Sequence, residues 1–133
     1  MMSRYSDSSA DKSTLSVKWI FRGIVVSFLL LLAVSIIGGL IITFIDIDDL
    51  IIQKILIIFN YLSILTGSFL TGLNVEGNGW LNGGLVGLGH IGLIFLLSLM
   101  WVETLFTLGS LIMLGIGSMT GLIGGMAGIN FKD

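Results

Sequence analysis

The chain has no cysteine, no proline and one histidine, and only 11% of its 133 residues are charged. Without cysteine there is no disulfide, no thiolate nucleophile and no cysteine-ligated metal. A lone His90 leaves a histidine-based metal site short of ligands within one chain. Without proline, any break in a helix has to come at glycine. Soluble domains carry about 25% charged residues, so this chain lacks the polar atoms to cover a water-facing surface. Six basic residues against eight acidic ones give a net charge of −2. That balance offers no basic footprint for nucleic acid, and no cofactor motif is present.

What the chain does have is aliphatic sequence, with 55% hydrophobic residues and a mean hydropathy of +1.09. Nearly all of the excess lies in four long runs. These predict an all-α integral membrane four-helix bundle made of two hairpins. Residues 1–17, rich in serine and of mixed charge, read as a disordered cytoplasmic tail. Residues 18–133 read as a single four-helix transmembrane domain, with spans expected at about 19–45, 50–73, 80–102 and 105–129.

The first run is about 40 Å long as a helix, enough to cross a core of about 30 Å with some tilt. It has a basic flank and a small-x-small triplet, Ala33-Val34-Ser35, but IIGGLIITFI continues beyond it. A cleaved signal peptide needs no such extension, so the helix is read as retained. In IDIDDL, residues 45–50, Asp48 and Asp49 are placed to cap the second helix. NVEGNG before Trp80 reads as a short turn whose Asn and Gly residues suit positive φ. Glu103-Thr104 reads as a tight turn between the last two spans.

Orientation follows from lysine and arginine. Arg4, Lys12, Lys18 and Arg22 precede the first span and Lys132 follows the last, whereas the loop after span one holds only Lys54. Both termini are therefore expected to face the cytoplasm.

Glycine is the residue least suited to a helix in water, costing roughly 0.5–1 kcal/mol against alanine. Yet GWLNGGLVGLGHIGL, residues 79–93, carries six of the chain's 19 glycines. At about 100° per residue, Gly79, Gly83, Gly87 and His90 share one face of span three. Ser110, Gly117, Gly121, Gly124, Gly125 and Gly128 form a similar stripe on span four, and Asn60, Ser63, Gly67, Thr71 and Asn74 one on span two. Gly72 lies beside the span-two stripe; Gly23, Ser27 and the Gly38-Gly39 pair give span one scattered small sites. In a bilayer, leucine gains little by leaving lipid for another helix, and small residues let backbones approach. The stripes are thus expected to be the helix-packing surfaces, with leucine and isoleucine facing lipid. A weak internal echo accompanies them: shifted by 56 residues, Ser68, Thr71, Gly72 and Asn74 fall on Gly124, Ala127, Gly128 and Asn130. Two hairpins of one orientation would make a parallel repeat.

The chain resembles the small four-helix membrane proteins of Gram-positive bacteria known as the YrzE-like family. The resemblance covers residues 19–130 and rests on a basic flank, Gly67-Ser68-Phe69-Leu70-Thr71-Gly72, Gly79-Trp80-Leu81-x-Gly83 with Gly87-Leu88, and Gly124-Gly125-x-x-Gly128. The turn before Gly79 departs from that family, which often places basic residues there. The resemblance implies a bacterial cell-membrane address and a four-helix fold, and brings no reaction, substrate or catalytic residue.

Candidate chemistry is sparse. His90 falls mid-span on the glycine stripe, where an ionisable group is a functional candidate; its other reading is a ring hydrogen-bonded to Asn60, Tyr61 or a backbone carbonyl. Asn60 and Asn82 are placed to bond across helices. Asp46, Asp48, Asp49 and Glu103 lie at one side, as a cation site or as solvated caps. No serine–histidine–carboxylate set is apparent, so no catalytic residue and no enzyme are expected. The expected function is a helix-packing interaction or accessory subunit of a membrane complex, acting with the lipid bilayer and with another membrane protein or copies of itself. The alternative is a small oligomeric transporter or channel.

Overall fold

In the computed structural model, residues 15–101 and 107–132 are described. Four α-helices make up 86% of them, with no strand among the described residues. They are α1 (Val17–Phe44), α2 (Asp49–Asn74), α3 (Gly79–Ser98) and α4 (Leu108–Asn130). All four are long and apolar enough to cross a membrane, and nearly all of their large aliphatic side chains outside the contact faces are exposed.

The helix limits differ from those expected in three places. α1 takes in Val17, so the tail stops short of that residue. Leu15 and Ser16 precede the helix, and Ser16 N donates to Asn82 Oδ1 at 2.9 Å, which ties the entry of α1 to α3. The rest of the tail, 1–14, lies outside the described residues. α3 ends at Ser98, four residues before the expected Val102, in turns at 99–101. α4 starts at Leu108, three residues after the expected Leu105, and the expected turn at Glu103-Thr104 lies outside the described residues. At the start of α2, Asp48 accepts from Leu50 N at 3.0 Å and caps the helix, with Asp49 in its first turn. In the α2–α3 turn, only Asn78 has positive φ, at 49°; Gly77 has not.

Adjacent helices run antiparallel, and α2 and α4 run parallel. The tightest seam joins α3 to α4. A Cβ built on Gly83 would lie 2.6 Å from Gly125 Cα, one on Gly79 would lie 2.7 Å from Ile129 Cβ, and one on Gly87 would meet the Gly117 carbonyl. Separations under 3.0 Å essentially never occur for real Cβ atoms, so only glycine allows this approach. The second seam joins α2 to α4: a Cβ on Gly128 would lie 2.9 Å from Gly72 Cα, and one on Gly124 would lie 2.9 Å from Ser68 Cβ. These are the pairs related by the 56-residue shift, so the echoed positions face one another across this seam. Among the described residues α2 contacts α3 but α1 does not contact α4, so the two hairpins do not pack as equivalents.

Buried positions concentrate at one end. They are Gly23 and Ser27 in α1, residues from Asn60 to Gly72 in α2, Gly79 to Ile91 in α3 and Gly117 to Gly128 in α4. We call this the tight end. At the opposite, open end, Gly38, Gly39, Gly92, Gly109 and Gly115 have nothing within 4 Å of a built Cβ. The α4 stripe correspondingly packs only from Gly117 onward: Ser110 lines an apolar cleft between α3 and α4 with Gly92, Phe95 and Leu111. Asn74, at the other limit of the α2 stripe, is exposed.

Candidate functional site

The layer that divides the two ends holds the chain's one histidine. α3 carries His90 on the same face as Gly83 and Gly87, and the glycine approach of α3 to its neighbours presses the ring among three helices. His90 is fully buried. Its Nδ1 is 2.7 Å from Ser27 Oγ on α1, and its Nε2 is 3.0 Å from Asn60 Oδ1 on α2. Phe28 meets the ring edge-on at a centroid distance of 6.3 Å. Ser27 is also fully buried, and Asn60 is nearly so.

Proton bookkeeping limits what this network can do. Asn60 Oδ1 only accepts, so Nε2 carries a hydrogen. Ser27 has one proton and two acceptors in reach: His90 Nδ1 and the Ile24 carbonyl, the latter at 2.9 Å. With a neutral ring, the hydroxyl donates to Nδ1. With a charged ring, Nδ1–H donates to Ser27 and the hydroxyl turns to Ile24. The serine rotor therefore follows the charge of the ring.

The sequence shows no full serine–histidine–carboxylate set and gives no sign that Ser27 and His90 meet. Ser27 and His90 sit 63 residues apart in sequence and meet only because Gly23 lets α1 approach α2 closely, a Cβ there lying 2.9 Å from the Gly67 carbonyl oxygen. The third member is an amide, not a carboxylate. Ser27 was legible as a small residue on span one, but nothing in the sequence linked it to His90. Among the other positions named from the sequence, Asn82 is buried and bonds both across to Ser16 and within its own turn to the Asn78 carbonyl at 3.0 Å. Gly67, Gly72, Gly79, Gly83, Gly87, Gly117, Gly121, Gly124 and Gly128 are all buried. Tyr61 has no bond to His90. No group of three or more candidate metal ligands occurs among the described residues.

A family model described as "Protein of unknown function (DUF3792)" matches residues 16–128. The chain belongs to this family. The match takes in all four helices except the last two residues of α4, and so includes the Ser27–His90–Asn60 layer. No curated protein matches the chain, and no solved structure does. Family membership assigns no role to the layer.

Proposed function

We propose that this protein is an interaction or accessory subunit of a membrane complex, with both termini cytoplasmic and its partner packed on the open end. The observation that carries this reading is the set of unpacked glycines. Gly38 and Gly39 interrupt the most apolar of the described helices, and no described residue of another helix comes within 4 Å of a Cβ built at either. Glycine facing lipid gains nothing, since lipid is as apolar as leucine, whereas glycine facing another helix permits close packing. The narrower resemblance to YrzE-like proteins supports a bacterial cell-membrane location. The basic residues Lys18, Arg22 and Lys132 at the tight end support the orientation.

A catalytic reading has little support: Ser27 and His90 are sealed from solvent and the serine proton is already engaged. A transporter reading has one observation in its favour, the intramembrane His90 spanning three helices through Ser27 and Asn60. Against it, no carboxylate joins the network. The deciding experiment is release of tagged protein from its own membranes in mild detergent, followed by mass analysis of the intact assembly. A fixed ratio with a second protein supports the subunit reading. A homo-oligomer whose His90→Ala variant loses a pH-dependent flux replaces it with the transporter.

A further inference from the structure

At the tight end, α1 and α2 separate above the Gly23–Gly67 contact to leave an open cleft of about 310 Å³. This is at the lower limit of small-ligand pockets, about 300–1,000 Å³. Its α1 wall is Trp19, Arg22, Gly23 and Val26, one helix face at spacings of three and four; its α2 wall is Leu70, Thr71 and Asn74.

The lining is ordered by depth. Arg22, Trp19 and Asn74 stand toward the helix ends, while Val26 and Leu70 lie one turn further into the bundle. The Arg22 guanidinium carbon sits 5.1 Å from the Trp19 ring centroid, and Lys18 Nζ approaches the same ring at 5.7 Å. Trp19 thereby gathers two cations at one mouth. Among the described residues, Arg22 has no ion pair or hydrogen bond and no carboxylate lines the cleft. The single Thr71 hydroxyl proton is shared between the Trp19 and Gly67 carbonyls, each 3.0 Å away, which links the two walls. Asn74 donates one amide hydrogen to the Leu70 carbonyl at 2.7 Å, and among the described residues its oxygen and second hydrogen are not engaged.

We propose that this cleft binds the phosphate of an anionic lipid, with Arg22 on the phosphate and an acyl chain along Val26 and Leu70. A guanidinium presents a planar fork that matches phosphate oxygens. Basic pockets between transmembrane helices near the headgroup level take anionic headgroups. The apolar floor separates a lipid from a free phosphate compound, which has no use for it. The assignment stands apart from the subunit reading, because the cleft lies at the opposite end from the unpacked glycines.

The test is native mass spectrometry of the full delipidated chain in detergent, with phosphatidylglycerol, phosphatidylcholine or inorganic phosphate added. Phosphatidylglycerol adducts are expected at lower concentration than phosphatidylcholine adducts, with Arg22→Gln weakening the former about fivefold. Lys54→Gln, which removes a charge near the open end, is expected to leave them unchanged. Val26→Trp, filling the cleft with Arg22 intact, is expected to reduce them as well, and guards against misfolding of the arginine variant. Equal binding of the two lipids, or phosphatidylglycerol binding indifferent to both Arg22→Gln and Val26→Trp, overturns the site. Displacement of phosphatidylglycerol by equimolar inorganic phosphate overturns the lipid assignment in favour of a soluble phosphate compound.

Discussion

The two ends of this bundle use the same residue for different purposes. At the tight end, Gly72, Gly79, Gly83, Gly121, Gly125 and Gly128 stand where a methyl group would strike another helix's backbone or side chain. At the open end, Gly38, Gly39, Gly92, Gly109 and Gly115 have open space beside them. α1 and α3 show the same contrast between neighbours of equal direction. The most apolar window of α1 has a hydropathy of 2.9 and is 6% buried, against 1.6 and 39% for α3. Burial falls as hydropathy rises, the reverse of a soluble protein, because in a bilayer the aliphatic residues already have a suitable solvent. Contact goes instead to small and hydrogen-bonding side chains.

Substitutions at the two ends should therefore differ widely in effect. Gly83→Leu or Gly121→Leu drives a side chain into the facing α4 or α3 backbone and should cost more than about 3 kcal/mol. Thermal denaturation in detergent should show the bundle lost or strongly destabilised. His90→Ala comes next, since it leaves Ser27 and Asn60 without their shared partner. The expected cost is about 1–2 kcal/mol, read from the same melting curves. Ser27→Ala removes one interhelical bond while preserving the Gly23 approach, and should cost about 0.6 kcal/mol. The smallest effect is expected for Gly38→Leu with Gly39→Leu, which should leave the melting of the isolated chain within about 0.5 kcal/mol of wild type. A large loss there would show that the open end is packed after all.

Much of this architecture is legible in the sequence because it is periodic. Gly79, Gly83 and Gly87 recur every four residues, as do Gly117, Gly121 and Gly125, and that spacing alone puts each set on one helix face. Which stripe meets which is not periodic information, and the pairing of α3 with α4 and of α2 with α4 had to come from three dimensions. The same limit hid the Ser27–His90 bond: each residue has a readable helical position, but their meeting depends on the lateral placement of α1. The stripes also run further in sequence than in space. Ser110 and Asn74 continue the pattern of their helices, yet Ser110 lies where α3 and α4 have parted, and Asn74 where the last turn of α2 reaches the exposed edge of the bundle. Helix ends were blurred because Ser16-Val17 and Leu99-Met100 carry no strong stop signal, and hydropathy alone does not mark where backbone bonding ceases.

The most direct test of the account compares wild type with the Gly38→Leu/Gly39→Leu variant, each released from its own membranes in mild detergent and measured as an intact assembly. Wild type is predicted to carry a second membrane protein in fixed ratio, and the variant to emerge folded, with unchanged melting, but without it. A wild-type chain that emerges alone, or a partner retained equally by the variant, would contradict the assignment of the open end as the docking surface.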